Sequence, residues 1–81
     1  MSPPKLLHIG DVARRVGLTN QMIHFYCSMG LLQEMQRTRS GYRLFTEEAV
    51  KRIRLIRILN RRGYSLREIK QTFRSAFLEN K

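Results

Sequence analysis

Two helix-forming stretches in this chain are separated by only a few residues. Ile9, Val12, Ala13 and Val16 recur at helical spacing, and Gly17 stands where a left-handed C-cap would end the first helix. Thr19 is an N-cap residue type and opens a second helix over about residues 20–29, closed by Gly30. A link of three or four residues makes the two helices pack as neighbours, the helix-turn-helix arrangement.

At about 100° per residue, Met22, Ile23 and Tyr26 share the side of the second helix that faces the core. Asn20, Gln21, His24 and Ser28 fall on the other side. That outer face is polar and hydrogen-bonding rather than strongly cationic, a chemistry that suits base edges as well as phosphates. A solvated helix face is the plainer reading of the same pattern.

The rest of the chain is punctuated as clearly. Gln36 to Thr38 and Tyr42 to Phe45 can pair as a hairpin, with Arg39-Ser40-Gly41 at the turn and Arg37, Arg39 and Arg43 crowded into it. Thr46 caps a third helix whose first turn carries Glu47 and Glu48, where the helix dipole favours acids. Ala49, Ile53, Ile56 and Leu59 make its core stripe. Arg54, Arg57 and Arg61 lie on a neighbouring stripe, read equally as solvated or as facing an anion. Gly63 stops that helix, and Ser65-Leu66-Arg67-Glu68 is a capping box for a fourth. Leu66, Ile69, Phe73 and Phe77 form the fourth helix's apolar face. Leu55 and Ile58, with Phe73 and Phe77, are read as core.

Size and charge bound what such a chain does. At 81 residues it is one domain, burying about 60% of its unfolded surface around one modest core. The expected layout is an arm over residues 1–7 with Pro3-Pro4 in it, a folded domain over 8–77, and a tail over 78–81. A hydrophobic content of 42% excludes a wholly disordered chain. No apolar run approaches a membrane span, and the N-terminus lacks a signal-peptide pattern. Cys27 is the single cysteine, so no intrachain disulfide forms. Cys27 is read as a partly buried small residue. These features fit a cytoplasmic, nucleoid-associated chain.

Sixteen Lys and Arg against six Asp and Glu give a net charge of +10. Thirteen of those cations and five of those acids follow residue 32. Such an excess favours a polyanion, because each cation placed on a phosphate releases a counterion. Acidic proteins attract the same charge. His8 and His24 make no metal site by themselves, and no carboxylate pair or Ser-His-Asp set is present, so neither an enzyme nor a bound cofactor is expected.

Four segments in register resemble the DNA-binding domain of MerR-family transcription regulators over roughly residues 7–74. They are the entry Ile9-Gly10-Asp11-Val12-Ala13, the second helix from Thr19 to Gly30-Leu31-Leu32, the wing end Gly41-Tyr42-Arg43-Leu44-Phe45-Thr46, and Gly63-Tyr64-Ser65-Leu66. The resemblance implies a mainly α, winged helix-turn-helix fold of four helices with a small two-stranded β-hairpin wing. It implies binding to double-stranded DNA without a membrane partner. Helix 2 would lie in the major groove, with the wing and the turn between helices 3 and 4 on the backbone. The implied contact set is Thr19, Asn20, Gln21, His24, Phe25, Tyr26, Arg39, Tyr42, Arg43, Arg61 and Arg62. Asn20, Gln21 and His24 would read bases. Tyr26, Arg43 and the Arg61-Arg62 end would hold phosphates, and Tyr42 would brace the wing or reach the backbone. Family members also bend and untwist operator DNA, a cost offset by wide phosphate contact.

This sequence departs from the family pattern at several positions. His24 stands where the family usually has Arg, Phe25 where it has the first aromatic as Tyr, Met22 for Thr, Cys27 for an acid, and Asn60 for a basic residue. Typical regulators continue into a dimerisation helix and an effector domain. Homodimerisation or cooperative assembly and contact with RNA polymerase are therefore expectations tied to a longer parent chain. Part of the Leu55, Ile58, Phe73 and Phe77 surface would then receive the dimerisation helix instead of lying in the core. Two rival functions remain at this point: an excisionase-like architectural protein that bends DNA, and a basic adaptor for an acidic protein.

Overall fold

The computed structural model describes residues 5–79, with side chains through residue 75. Most helix boundaries in it follow from a local chemical cause. Helix α1 (Ile9–Val16) begins after His8, whose backbone N–H donates to Asp11 Oδ2 at 3.3 Å, and ends at Gly17 with φ 70°. A side chain at that φ is strained, so glycine is the natural residue there. Helix α2 (Asn20–Ser28) starts at Thr19, whose Oγ1 accepts from the Met22 backbone N–H at 3.1 Å. Helix α3 (Glu47–Arg61) carries Glu47 and Glu48 in its first turn. The Thr46 side chain makes no capping hydrogen bond, contrary to the expectation from sequence. The turn is closed instead by Ala49 N–H donating to the Thr46 carbonyl oxygen at 3.0 Å. Helix α4 (Leu66–Glu79) opens on the expected capping box: Glu68 Oε1 accepts from Ser65 N–H at 2.9 Å, and Ser65 Oγ from Glu68 N–H at 3.1 Å.

The wing is larger than a hairpin. Strand β1 (Leu7–His8), strand β2 (Gln36–Arg37) and strand β3 (Arg43–Phe45) form one antiparallel sheet in the order β1-β3-β2. Leu7 pairs with Phe45 and His8 with Leu44, while Gln36 pairs with Leu44 and Arg37 with Arg43. The third strand was not anticipated. Leu7 falls in the stretch read as an arm, yet it is only 3% exposed. Its burial holds the base of the wing against the core.

The core gathers Val12, Val16, Ile23, Tyr26, Leu31, Phe45, Val50, Ile53, Ile56 and Ile69, drawn from all four helices, from β3 and from the segment that follows α2. Met22, Leu59, Leu66 and Phe73 pack against it while half-buried. Fully burying a side chain the size of Phe45 contributes about 1.5–3 kcal/mol, and Leu7 and Leu44 of the same sheet are buried beside it. Leu55 and Ile58 correct the sequence reading. Both are exposed on the outer side of α3, because the core is already filled by Ala49, Val50, Ile53 and Ile56 on its inner side. The expected role of Phe77 lies outside the described side chains, as do the outer part of the arm and the end of the tail.

Two arginines of the α3 stripe, Arg54 and Arg57, reach backbone carbonyls, while Arg61 stays exposed as one of the two sequence readings had it. Arg57 Nη1 donates to the Val16 carbonyl oxygen at 2.6 Å, and Arg54 Nη2 reaches the Arg15 carbonyl oxygen at 3.5 Å. These are the orphan carbonyls of α1's last turn, where a cation also complements the helix dipole. Arg52 behaves similarly. Its Nε donates to the Leu31 carbonyl oxygen at 2.8 Å, and its guanidinium lies 4.4 Å from the Phe73 ring centroid. Arg15 pairs with Glu47, tying α1 to the start of α3.

Candidate nucleic-acid interface

Helix α2 sorts its side chains as its period requires. Ile23 and Tyr26 are buried, whereas Thr19, Asn20, Gln21, His24, Phe25 and Ser28 are exposed. Phe25 is 46% exposed, so this aromatic is not a core residue. Tyr26 is 4% exposed and belongs to the core, so most of it is withdrawn from the outer face. Thr19 is already engaged as the N-cap.

The wing is held by its own hydrogen bonds. Thr38 N–H donates to the Tyr42 carbonyl oxygen at 2.8 Å and Gly41 N–H to that of Thr38 at 2.9 Å. Thr38 Oγ1 accepts from Tyr42 N–H at 3.0 Å, and Arg37 Nη1 donates to the Gly41 carbonyl oxygen at 3.3 Å. Gly41 turns the chain with φ 92°. The tip therefore presents Arg39 and Tyr42 outward, with Tyr42 at 69% exposure.

Glu34 is the residue that sequence reasoning missed. Its Oε2 accepts from Arg37 Nε at 3.3 Å and its Oε1 from Arg43 Nε at 3.2 Å. One carboxylate thus ties together the arginines of the two facing strands. Its own backbone N–H holds the Glu34 carboxyl below the ordinary glutamate range, with Arg37 and Arg43 adding to that effect. The signal was present as a lone acid three residues before Arg37, a spacing that serves pairing in turns as well as in helices.

Arg43 reaches further. Its Nη1 lies 2.7 Å from His24 Nδ1, on the outer face of α2. Wing and helix α2 are therefore in direct contact, and Arg43 is half-buried between them rather than extended into solvent. Cys27 sits nearby. Burial pushes its thiol above the ordinary value, Arg43 and Arg37 oppose that rise, and Glu34 adds to it.

Arg61 and Arg62 are exposed at the C-terminal end of α3. The turn that follows is closed by two features: Gly63 has φ 103°, and Asn60 Nδ2 donates to the Tyr64 carbonyl oxygen at 2.9 Å. Asn60, noted in sequence only as lacking a charge, braces this turn. Tyr64 stands half-exposed on it. Among the described residues no His, Cys, Asp and Glu group of metal-binding size occurs, and no helix is long and apolar enough to cross a membrane.

Comparison with known proteins converges on one family. The model of the MerR HTH family regulatory proteins matches residues 7–76. The nodulation protein NolA of Bradyrhizobium elkanii is 40% identical over 63 residues, covering 78% of this chain and 29% of that protein. The mercuric resistance operon regulatory protein of Bacillus cereus is 34% identical over 61 residues, covering 75% of this chain and 46% of that protein. The chain thus spans less than half the length of these relatives. Among solved structures, HiNmlR, a MerR family regulator lacking the sensor domain and bound to promoter DNA, superposes with a TM-score of 0.82 at 26% identity. That match covers 91% of this chain and 56% of HiNmlR. A MerR family regulator from Bacillus thuringiensis gives 0.74 at 34% identity, covering 90% of this chain and 64% of that one.

Proposed function

The chain belongs to the MerR family of helix-turn-helix regulators, and from that premise we propose that it docks on promoter DNA by placing the outer face of α2 in the major groove. Asn20, Gln21 and His24 would meet base edges, where Asn or Gln can pair in bidentate fashion with adenine. The wing tip, through Arg39 and Tyr42, and the Arg61-Arg62 end of α3 would lie on the backbone to either side. The Tyr26 hydroxyl would add a phosphate contact from the core side of α2, and Phe25 would pack against the sugar edge.

The observation that carries this reading is the 2.7 Å contact between Arg43 Nη1 and His24 Nδ1. It brings the polar helix and the wing together as neighbouring elements, as a reader of one duplex requires. HiNmlR, similar in fold, is bound to promoter DNA. The cations left for phosphates differ from those a count would suggest. Arg52, Arg54 and Arg57 are engaged with backbone carbonyls, so Arg39, Arg61 and Arg62 carry more of the grip. Arg43 would contribute chiefly as a brace.

The regulator would act non-covalently on an operator half-site. Dimerisation and contact with RNA polymerase would come with a longer chain. Selection from a randomised duplex library tests the proposal. Enrichment of a defined site, with affinity falling steeply as salt rises, is the expected result. A chain that is retained by acidic protein but not displaced by plain duplex would overturn it.

A further inference from the structure

Resting on the docking proposed above, we infer that Arg43 sets the tautomer of His24 and so makes its Nε2–H the donor that meets an acceptor atom on a base edge. The argument starts from what each group can do. A guanidinium has five N–H donors and no acceptor. At 2.7 Å from Arg43 Nη1, His24 Nδ1 must therefore accept. An imidazole that accepts at Nδ1 is neutral and carries its proton on Nε2.

The guanidinium is held for this task. Its Nε donates to Glu34 Oε1 at 3.2 Å, and the other oxygen of Glu34 takes Arg37 Nε at 3.3 Å. The chain Arg37–Glu34–Arg43–His24 thus runs from both strands of the wing to α2. Arg43 is the more enclosed of the two arginines, with 25% of its side chain exposed against 49% for Arg37. His24 lies on the exposed face with Asn20 and Gln21.

The tautomer decides the sign of what is read. With the proton on Nε2, the ring meets guanine O6 or N7, adenine N7 or thymine O4. It is opposed by the cytosine N4 amino group, itself a donor. With the proton on Nδ1, the preference would reverse. Arg43 is thus a positioning residue for readout, acting through His24, and Glu34 aims it.

The test uses the whole 81-residue chain. Long-range 1H–15N spectra at neutral pH report the tautomers of its two histidines, with His8→Gln giving the assignment. Duplex preferences are then profiled from a randomised library for the wild type, His24→Ala, Arg43→Ala and Arg43→Lys. The inference expects the Nε2–H form in the free protein. It expects discrimination against cytosine at one position to fall about five- to tenfold in His24→Ala and in Arg43→Ala, the lower part of the range for a single base contact. Arg43→Lys, whose ammonium is also donor-only, should retain it. His24 is exposed, so His24→Ala keeps the test independent of any folding defect in Arg43→Ala. An Nδ1–H or imidazolium signal would overturn the inference. An equal loss on every sequence in His24→Ala would also overturn it, since His24 would then be on a phosphate. If the wild type binds no duplex while His24 shows the Nε2–H form, the docking proposal fails and takes the base-edge role with it, while the tautomer assignment stands.

Discussion

Arg57 donates from Nη1 to the Val16 carbonyl oxygen at 2.6 Å, so a cation of the third helix ends the first. Gly17, in the left-handed conformation, then carries the chain away towards α2. The helix-turn-helix is thereby pinned to α3 by a charge-assisted hydrogen bond as well as by apolar packing. Arg57→Ala should cost about 1–3 kcal/mol in urea denaturation, because it leaves a partly buried carbonyl unpaired and a helix C-terminus uncompensated. Arg61→Ala and Arg62→Ala, both exposed, should stay within about 0.5 kcal/mol of the wild type. Equal stability for Arg57→Ala would show that the contact is incidental.

Tyr42 separates folding from binding in the same way. It is 69% exposed at the wing tip. Tyr42→Ala should therefore leave stability within about 0.5 kcal/mol of the wild type while weakening duplex binding. A large loss of stability would instead make Tyr42 a brace of the wing.

Glu34 gives a pH dependence with a definite sign. Its folded carboxyl titrates below the ordinary glutamate value. The stability it lends to the wing is therefore complete above the unfolded glutamate pKa, about 4.3. It is lost as pH falls through the lowered folded value. An NMR titration of the Glu34 carboxyl carbon should give a midpoint below that of a glutamate in the urea-unfolded chain. Arg43→Ala and Arg37→Ala should raise the midpoint only in part, because the backbone N–H is the larger cause. A midpoint at or above the unfolded value would contradict the bracing geometry.

Cys27 should be a slow thiol. Burial raises its value more than Arg43 and Arg37 lower it, so little thiolate is present at neutral pH. Its reaction with a thiol probe should be slower in the folded chain than in urea. Equal or faster reaction in the folded state would place Cys27 in a more electropositive site than the structure describes.

Local signals in the sequence were read well because their causes are local. Gly17, Thr19 and the Ser65–Glu68 box act within four residues, and each ends or begins a helix where expected. What escaped was long-range. Leu7 pairs with Phe45 across the whole helix-turn-helix, and nothing in the Leu7–His8 dipeptide marks it as a strand. The partners of Arg54 and Arg57 are carbonyls about forty positions away, so their spacing on α3 alone suggested a surface. In the candidate site, the outward set of α2 was legible from its period. The bracing by Glu34 was not, because Arg43 meets both Glu34 and His24 only once the wing has folded back on α2.

The central claim is a division of labour between a base-reading helix and backbone-gripping flanks. Parallel duplex-preference profiles of the wild type, Gln21→Ala and Arg62→Ala test it most directly. The account predicts that Gln21→Ala relaxes preference at one base step by about 1–3 kcal/mol. Arg62→Ala should lower affinity for all sequences alike and reduce the salt slope by about one. A uniform loss for Gln21→Ala, with the site preference intact, would contradict the account.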